Sequence, residues 1–369
     1  MIFDVAVVGA GPAGAAAARA AASQGARTLL LERAQLPRYK RCGGGLIGPS
    51  QQAIAEAGVD IAPLSRDHVG RVTFTSQGKR SFTRTTAAFL PMVLRSELDA
   101  ALVDVAVAAG AELRTGVTVG AYSQDGDVVT LGTSAGPVHA RAVVAADGSA
   151  SRASSYVGVV SEHVDLGLEA ELPTPPGSDW GGRVLLDWGP VPGSYGWVFP
   201  KGDTLTVGVI GDRGAGPALR DYYRAFVASL GLDLTTAVHD GGHLTRVRAP
   251  GSPLSRGSVL VAGDAAGLLE PWTREGISFA LRSGRLAGLA AAGRIPSYEQ
   301  AVKNALGAEV AAGRRALASF TRHPGVVHGV MRSLPGMWPL FVELVSGGTT
   351  MAEQLERRRV RWLVAATGG

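Results

Sequence analysis

A glycine-rich turn near the N-terminus constrains the fold of this chain more than any other feature of its sequence. The turn, GAGPAG at residues 9–14, follows an apolar run at 2–8 and opens an alanine-rich stretch at 12–24 that ends at Gly25. A short apolar run before such a turn is typical of a buried parallel strand, and the alanines favour a helix. The sequence therefore predicts a strand–turn–helix unit that binds a nucleotide.

The small residues of the turn each have a physical role in such a site. Gly9 permits the tight turn, Gly11 lets the backbone approach a pyrophosphate, and Gly14 lets helix and strand pack closely. Pro12 and Ala13 begin the helix, whose N-terminus then faces the anion. We expect all five residues to belong to the phosphate end of the site.

An acidic residue follows the second predicted strand, Arg27–Leu31. Glu32 lies eighteen residues after Gly14, at the position where a carboxylate binds ribose hydroxyls, and Arg33 follows it directly and is assigned to the same site. The carboxylate would repel a 2′-phosphate, which argues against NADP. From these residues alone, FAD and NAD are both candidates.

The composition excludes several other kinds of protein. A single cysteine among 369 residues excludes an intrachain disulfide, and no residues have the spacing of metal ligands, so we expect packing to stabilise the fold in a reducing compartment. No apolar run is long enough to cross a bilayer, and the first one leads into the glycine turn rather than a cleavage site. We therefore expect a cytoplasmic protein.

The charge pattern does not indicate a nucleic-acid partner, because a net charge of +5 is modest for this length. The dense basic run ERRRVRW at 356–362 is expected to be a solvated helix face. Trp338, Phe341 and Trp362 lie on predicted helices after His323 and are expected to form a packed cap. Contact with a membrane surface is the alternative for both segments.

Two later segments repeat the theme of an apolar strand followed by an acidic turn. AVVAADGSASR at 142–152 contains Asp147-Gly148, and SVLVAGDAAGLL at 258–269 contains Gly263-Asp264 before small residues that open a helix. Together with GAGPAG, and in this order and spacing, they resemble the signatures of the flavoprotein hydroxylase superfamily. The resemblance implies that the cofactor is FAD.

The same resemblance implies which groups of FAD individual residues contact. It assigns Asp264 to the ribityl chain, and it directs the N-terminal amides of a helix entered at Gly276-Ile277 toward the flavin ring edge, where they would stabilise anionic reduced flavin. It also implies that Arg95 opens a helix and contacts the cofactor, and that Val119 pairs with adenine. A helix-face salt bridge is the alternative for Arg95, and a core position is the alternative for Val119.

The sequence lacks a second glycine turn for a nicotinamide dinucleotide, and this bears on the source of electrons. GVIGDRGAG at 208–216 has the wrong spacing for a second dinucleotide turn and follows a sheet-like segment. A dedicated nicotinamide domain is therefore not expected. Electrons would come from transiently docked NAD(P)H or from a protein donor such as ferredoxin.

These segments predict an α/β chain built from interleaved parts. Residues 1–62, 95–155 and 247–300 form a Rossmann-type FAD-binding domain. The alternating apolar and polar residues of 63–94 and 156–246 predict an antiparallel-sheet substrate domain. Residues 301–369 form a helical C-terminal region.

One strand of the predicted substrate domain carries aromatic residues at every second position. In PGSYGWVFP, residues 192–200, the alternation places Tyr195, Trp197 and Phe199 on one face. Such a face suits an apolar substrate. An ordinary sheet core is the alternative, because strands favour aromatic residues.

This aromatic strand resembles the geranylgeranyl reductase family, whose P-x-x-Y-x-W-x-F-P motif is followed by a glycine-containing strand, here LTVGVIG. KRCGGG at 40–45 and the layout through about residue 300 support the resemblance, whereas the last 70 residues match only in being helical. Family members use reduced FAD to saturate carbon–carbon double bonds of prenyl chains in chlorophyll precursors, archaeal lipids and quinones. The resemblance implies a hydrophobic isoprenoid or polyene substrate in an apolar tunnel that ends at the flavin.

Such a reduction needs a proton as well as a hydride. Cys42, flanked by Lys40 and Arg41 and followed by Gly43, is the first candidate donor, because nearby cations would lower its thiol pKa and the glycines would let the backbone approach the flavin. A small buried filler is the alternative for Cys42. Tyr195 is the second candidate, and water is the third.

The sequence departs from the family pattern at one position. The family's Gly-Glu-Gly-Ile is Arg274-Glu275-Gly276-Ile277 here. Our hypothesis is that Arg274 narrows the pocket or binds an anionic substrate group such as a diphosphate. His239 and His243 are rejected as a metal pair, because Gly241-Gly242 between them argues against one helical face.

Two other functions stay open from the sequence. A flavin-dependent monooxygenase or halogenase of the same fold is the first, because halogenases carry a similar W-x-W-x-I-P strand. A flavin-carrying electron-transfer or lipid-binding protein without turnover is the second.

Overall fold

The computed structural model describes residues 1–357 and 360–361, in which two sheets pack with ten α-helices. The strands are β1 (Ile2–Val8), β2 (Thr28–Leu31), β3 (Ser65–Ser76), β4 (Lys79–Val93), β5 (Glu112–Arg114), β6 (Val119–Asp125), β7 (Val128–Thr133), β8 (Gly136–Ala145), β9 (Ser161–Pro173), β10 (Arg183–Trp188), β11 (Tyr195–Lys201), β12 (Thr204–Asp212), β13 (His239–Arg248), β14 (Ser255–Arg256) and β15 (Val259–Val261). The helices are α1 (Pro12–Ala22), α2 (Ser50–Glu56), α3 (Arg95–Ala108), α4 (Arg152–Val157), α5 (Gly216–Ser229), α6 (Ile277–Ala291), α7 (Tyr298–Arg322), α8 (Pro324–Ser333), α9 (Met337–Val345) and α10 (Met351–Glu356).

The first sheet has a parallel centre in the order β15-β8-β1-β2-β5. β14 runs antiparallel at one edge, and the β6–β7 hairpin pairs with the start of β8. The central strands are apolar and buried on both faces, as the sequence predicted for residues 2–8. The predicted α/β fold class is confirmed, with α1 ending at Ala22 and the chain turning at Gly25 with a φ of +80°.

The second sheet has the order β13-β9-β12-β11-β10-β3-β4. Its pairs are antiparallel, as predicted, except that β3 and β10 run parallel. These two strands are far apart in sequence, so no hairpin fixes their relative direction. The predicted helix after Asp264 differs as well: a 3₁₀ turn at Gly263–Ala266 ends at Gly267, whose φ is +66°, and α6 begins only at Ile277.

Helices α1 and α6 lie side by side in parallel and touch through backbone. A Cβ atom on Gly284 would collide with the carbonyl oxygen of Ala13, and one on Gly288 with that of Ala17. Because Ile277 precedes Gly284 by seven residues, the start of α6 extends about 10 Å beyond the start of α1. Both helix N-termini therefore reach the same end of the first sheet.

The C-terminal helices cover one face of the second sheet with aromatic contacts. The ring of Trp188 on β10 lies 5.0 Å from that of Phe320 on α7, and Phe74 on β3 lies 5.3 Å from Phe341 on α9. Trp338 lies on α9 as predicted, whereas Trp362 lies outside the described residues. Within the described part of the chain, no helix is long and apolar enough to cross a membrane.

The α1–α6 contact yields a test of the fold. We expect Gly284→Ala to lower the free energy of unfolding by about 1–3 kcal/mol, because its new methyl group pushes two helix backbones apart. Gly307→Ala on α7 is the matched control, since its Cβ would meet no atom closer than Lys303 Cγ at 3.7 Å. Urea unfolding measures both, and equal stability of the two variants would contradict the packing described.

Candidate functional site

A cavity of about 570 Å³ lies where the carboxyl ends of β1, β2, β8 and β15 meet the second sheet and residues 40–45. Ligands of open parallel sheets bind at this end of the strands. The predicted site residues that line it are Gly9, Gly11, Pro12, Ala13, Glu32, Arg33, Cys42, Gly43, Arg95, Val119, Asp147, Gly148, Tyr195, Trp197, Phe199, Asp264, Arg274, Gly276 and Ile277.

Two predicted residues lie beneath the cavity instead of lining it. A Cβ on Gly14 would collide with the carbonyl oxygen of Gly9, and one on Gly263 would lie 3.0 Å from the Cβ of Ala13. Both glycines therefore allow close packing under the turn. This is the helix–strand role predicted for Gly14, whereas the cofactor contact expected of Gly263 stays a prediction.

The start of α1 is suited to an anion. Gly9 has a φ of +95°, and a Cβ there would lie 2.5 Å from the carbonyl oxygen of Ala146. Gly11 occupies the N-cap position, and no side chain caps the helix. The first backbone amides of α1 are thus free of a side-chain cap and face the cavity, as phosphate-binding helix starts do.

Glu32 is buried and holds the two strand ends together. Its carboxylate accepts hydrogen bonds from the amides of Ala10 at 2.8 Å and Ala34 at 3.1 Å. Arg38 lies 3.5 Å from it and also pairs with Asp99 at 3.2 Å. Sequence reasoning missed Arg38, which carries no recognisable motif.

Arg95 forms the helix-face salt bridge that was one of its two interpretations, and its contact with the cofactor stays a prediction. Its guanidinium pairs with Asp99 through bonds of 2.7 and 3.0 Å, which is the helix-face salt bridge, and it also lines the cavity. Burial lowers the pKa of Arg95, but Asp99 and Cys42 outweigh that effect and raise it above its ordinary value. The side chain therefore stays charged beside Cys42.

Several lining groups are buried without a hydrogen-bond partner. Asp147 accepts one bond, from the amide of Arg152 at 3.3 Å, and burial raises its pKa. The unpartnered atoms among the described lining residues are Asp147 Oδ1, both carboxylate oxygens of Glu169, Arg41 Nε, Trp197 Nε1, His243 Nδ1 and Thr245 Oγ1. Such atoms cost free energy until a ligand or water satisfies them, so the cavity fits a large polar ligand such as FAD.

The loop at 40–45 packs against the aromatic strand. A Cβ on Gly43 would lie 2.5 Å from the ring of Phe199, and buried Lys201 donates a 2.9 Å hydrogen bond to the carbonyl oxygen of Cys42. Lys201 also pairs with Glu171 at 3.4 Å. The ring of Phe199 thus fills the space beside Gly43. Approach of the loop backbone at 40–45 to the flavin stays a prediction.

The aromatic residues of β11 share one face, with ring centroids 5.9 Å apart for Tyr195 and Trp197 and 6.2 Å apart for Trp197 and Phe199. Trp197 lies opposite Gly208 on β12, where a Cβ would collide with the indole ring. Gly208, the glycine within LTVGVIG, therefore leaves the space that the indole ring of Trp197 occupies.

Tyr195 is a weak acid in this setting. Its hydroxyl donates a 2.8 Å hydrogen bond to the carbonyl oxygen of Thr273, and burial raises its pKa to about 12. Cys42, the other predicted donor, is half-buried and lines the cavity. The geometry thus favours a positioning role for Tyr195.

A second cavity of about 300 Å³ adjoins the first one and is mostly apolar. It lies between the second sheet and the C-terminal helices, with Trp188, Met331 and Leu340 in its wall. The residues shared by both cavities are Ile47, Tyr195, Phe199, Thr273 and Glu275. The C-terminal region was expected to be a cap. It also encloses this cavity, which the apolar spacing in 324–345 could have suggested.

Arg274 adopts the backbone conformation of the glycine that it replaces. Its φ is +57°, which is uncommon for a residue with a side chain. Its guanidinium pairs with buried Asp165 at 3.0 Å, donates to the carbonyl oxygen of Gly193 at 3.2 Å, and lies 5.4 Å above the ring of Tyr195. Because this charge is already paired, binding of an anionic substrate group stays a prediction.

Sequence reasoning did not assign Glu169 on β9 or His243 on β13 to the site, although both line the cavity. Burial raises the pKa of Glu169 to about 7, and burial lowers that of His243 to about 4. His239 and His243 lie on one face of strand β13. The argument that Gly241-Gly242 prevents a shared helical face therefore does not apply to them. His239 stacks on Tyr39 with ring centroids 3.7 Å apart. The glycines inside β9, β12 and β13 could have indicated this part of the site, because a glycine within a strand marks a place where another group approaches the backbone closely.

Comparison with known proteins identifies the family. The FAD binding domain family matches residues 3–169. The digeranylgeranylglycerophospholipid reductase of Methanocaldococcus jannaschii is 31% identical over 78% of this chain and 76% of its own length. The chain belongs to the geranylgeranyl reductase family. The chloroplastic geranylgeranyl diphosphate reductase of Oryza sativa subsp. japonica is 30% identical over 76% of this chain and 65% of its own length. As a member of this family, the chain is an FAD-dependent oxidoreductase.

Solved structures share the fold. A geranylgeranyl bacteriochlorophyll reductase-like protein of Thermoplasma acidophilum superposes with a TM-score of 0.76 at 20% identity, over 93% of this chain and 99% of its own. A flavin-dependent brominase reaches 0.75 at 20% identity, over 99% of this chain and 98% of its own. Because these identities are low, the likeness shows the architecture, whereas the curated relatives decide for the reductase family.

The packing of Gly43 yields a prediction for cofactor binding. We expect Gly43→Ala to weaken FAD binding on the order of tenfold, because the methyl group displaces the loop from Phe199, and one tenfold step corresponds to about 1.4 kcal/mol. Gly45→Ala is the control, since its Cβ would meet nothing closer than Met92 Sδ at 3.5 Å. Flavin fluorescence titration measures both, and equal affinities would contradict this account.

Glu169 yields a prediction for stability. Its pKa is raised from 4.5 to about 7, so its stabilising contribution is complete below the lower value and is lost as the pH rises through the upper one. We expect Glu169→Gln to remove this loss, which amounts to on the order of 3 kcal/mol in the FAD-free protein. Urea unfolding as a function of pH measures it, with Glu162→Gln on the same strand as control. If the free energy of unfolding depended on pH in the same way for the Glu169 variant and the unaltered protein, the raised pKa assigned to Glu169 would be wrong.

Proposed function

We propose that this chain uses reduced FAD to saturate carbon–carbon double bonds of an isoprenoid chain held in the apolar cavity. The observation that carries the proposal is the junction of the two cavities at Tyr195 and Phe199. A chain lying in the apolar cavity would present a double bond at this junction, beside the ring edge expected near Gly276-Ile277. The digeranylgeranylglycerophospholipid and geranylgeranyl diphosphate reductases among its relatives support the same substrate class.

The residues of the apolar cavity perform the binding part of this reaction. Leu340, Phe341 and Met331 offer contact area without polar side-chain groups, so a prenyl chain gains free energy by leaving water. Bound FAD, when reduced, supplies hydride. The enclosed walls exclude water from the reacting carbons, and Tyr195, fixed by its bond to Thr273, orients the chain.

The remaining partners belong to the same proposal. We assign the electron donor to NAD(P)H or a ferredoxin-type protein, supported by the missing second dinucleotide turn. We place the protein in the cytoplasm with peripheral contact to a membrane that stores the substrate. Val326 and Leu334, 47% and 46% exposed at α8, support such contact.

The decisive assay is anaerobic. Dithionite-reduced holoenzyme mixed with a geranylgeranyl substrate is expected to give products that are heavier by two hydrogens for each reduced bond, as detected by mass spectrometry. If no saturated product forms from any prenyl substrate, the proposed function is wrong.

The cavity also predicts a change of specificity. Val327→Phe on α8 fills part of the apolar cavity, so we expect kcat/KM for a four-isoprene chain to fall more than tenfold relative to a two-isoprene chain. FAD affinity should not change, because Val327 lies away from the cofactor cavity. Val107→Phe on α3, at a position that is 42% exposed and lines neither cavity, is the control. Equal losses for both chain lengths would contradict the placement of the substrate.

A further inference from the structure

A row of facing residues crosses the second sheet at the cofactor cavity. Pairing places Gly241 on β13, Glu169 on β9, Gly208 on β12 and Trp197 on β11 directly opposite one another, so they share one face. The space that the two glycines leave beside Glu169 is filled by an aromatic ring on one side and a cation on the other. The indole ring of Trp197 covers Gly208, and the guanidinium of Arg41 lies over Gly241.

The carboxyl group of Glu169 has no structural duty that would explain its burial. Glu169 is 1% exposed, lines the cavity, and neither of its oxygens has a hydrogen-bond partner. Its neighbour Glu171, by contrast, is paired with Lys201. A buried acid without a partner is costly, and such groups are concentrated at functional sites.

Other acidic groups around the two cavities differ from Glu169 in their hydrogen bonding or their pKa, and Glu270, for example, accepts two bonds from Thr273 through one of its oxygens. Tyr195 has a pKa of about 12, and His243, with a pKa of about 4, carries no proton to give as a cation near neutral pH. Glu275 accepts bonds from Ser50 and Ser278. Asp147 follows the end of β8 and accepts a hydrogen bond from the amide of Arg152.

We propose that Glu169 is the catalytic acid that protonates the substrate, an inference that rests on the proposed function. The alkene accepts hydride from reduced FAD at one carbon, and its π electron pair forms a bond to the Glu169 proton at the other carbon. The carboxyl O–H bond breaks, leaving a carboxylate and oxidised cofactor. The product is the alkane unit.

The surroundings of Glu169 allow the proton to be replaced. Its pKa of about 7 reflects burial, opposed by nearby cations, so both protonation states are accessible near neutral pH. The carboxylate of Glu171, on the same strand face, is 12% exposed and marks the route to solvent. The titratable groups that face Glu169 from the elements packed around it are Tyr39, Lys40, Arg41, Glu171, Lys201, Tyr223 and His243.

The test uses FAD-loaded Glu169→Gln and Glu169→Asp, with Glu162→Gln as a control on the same strand. Pre-reduced holoenzyme is mixed anaerobically with a geranylgeranyl substrate, and flavin reoxidation is followed by absorbance. We expect Glu169→Gln to slow reoxidation by on the order of 10²-fold or more, while reduction by dithionite is unchanged. Glu169→Asp should retain part of the rate, and the unaltered enzyme should slow as the pH rises and the carboxyl group loses its proton.

A second readout does not depend on turnover. Infrared titration of the holoenzyme should show a protonated carboxyl band that disappears as the pH rises and that is absent in Glu169→Gln. Reoxidation of Glu169→Gln at the unaltered rate, or the absence of this band, would overturn the assignment of Glu169. An unaltered enzyme that saturates no prenyl substrate would overturn the proposed function itself, which distinguishes the two failures.

Discussion

The parallel contact between α1 and α6 is the constraint on which the cofactor site depends. Because Gly284 and Gly288 lack side chains, the two helix backbones touch, and each helix starts at the same end of the parallel sheet. One helix start faces the expected pyrophosphate and the other the expected flavin ring edge. Larger residues at these glycines would separate two parts of the site that no local motif holds together.

The second sheet completes the site with a wall that has an aromatic part and a polar part. Its β11 strand presents aromatic rings, whereas β9 and β13 present the unpartnered polar groups of Glu169, His243 and Thr245. The aromatic part continues into the apolar cavity, and the polar part does not. A substrate chain and a polar cofactor can therefore occupy adjoining spaces, each lined by groups that suit it.

Arg274 illustrates how a chain keeps a site while departing from its family's pattern. The left-handed backbone at this position suits glycine, and the arginine retains it at a cost of about 1 kcal/mol or more. Buried Asp165 balances the charge, and His163 lies 2.8 Å from the same carboxylate. Arg274 is thus part of an ion-paired network beside Tyr195.

The sequence by itself determined the parts of this protein that follow from local sterics and periodicity. The glycine turn, Glu32 at a strand end, the fold class and the shared face of β11 depend on residues close in sequence, where chain geometry leaves few alternatives. Glu169, Lys201 and the apolar cavity behind the C-terminal helices were not predictable in this way. Their roles arise from strand pairing and helix packing between distant segments, and only the tertiary structure decides which side chains those contacts bury without a partner.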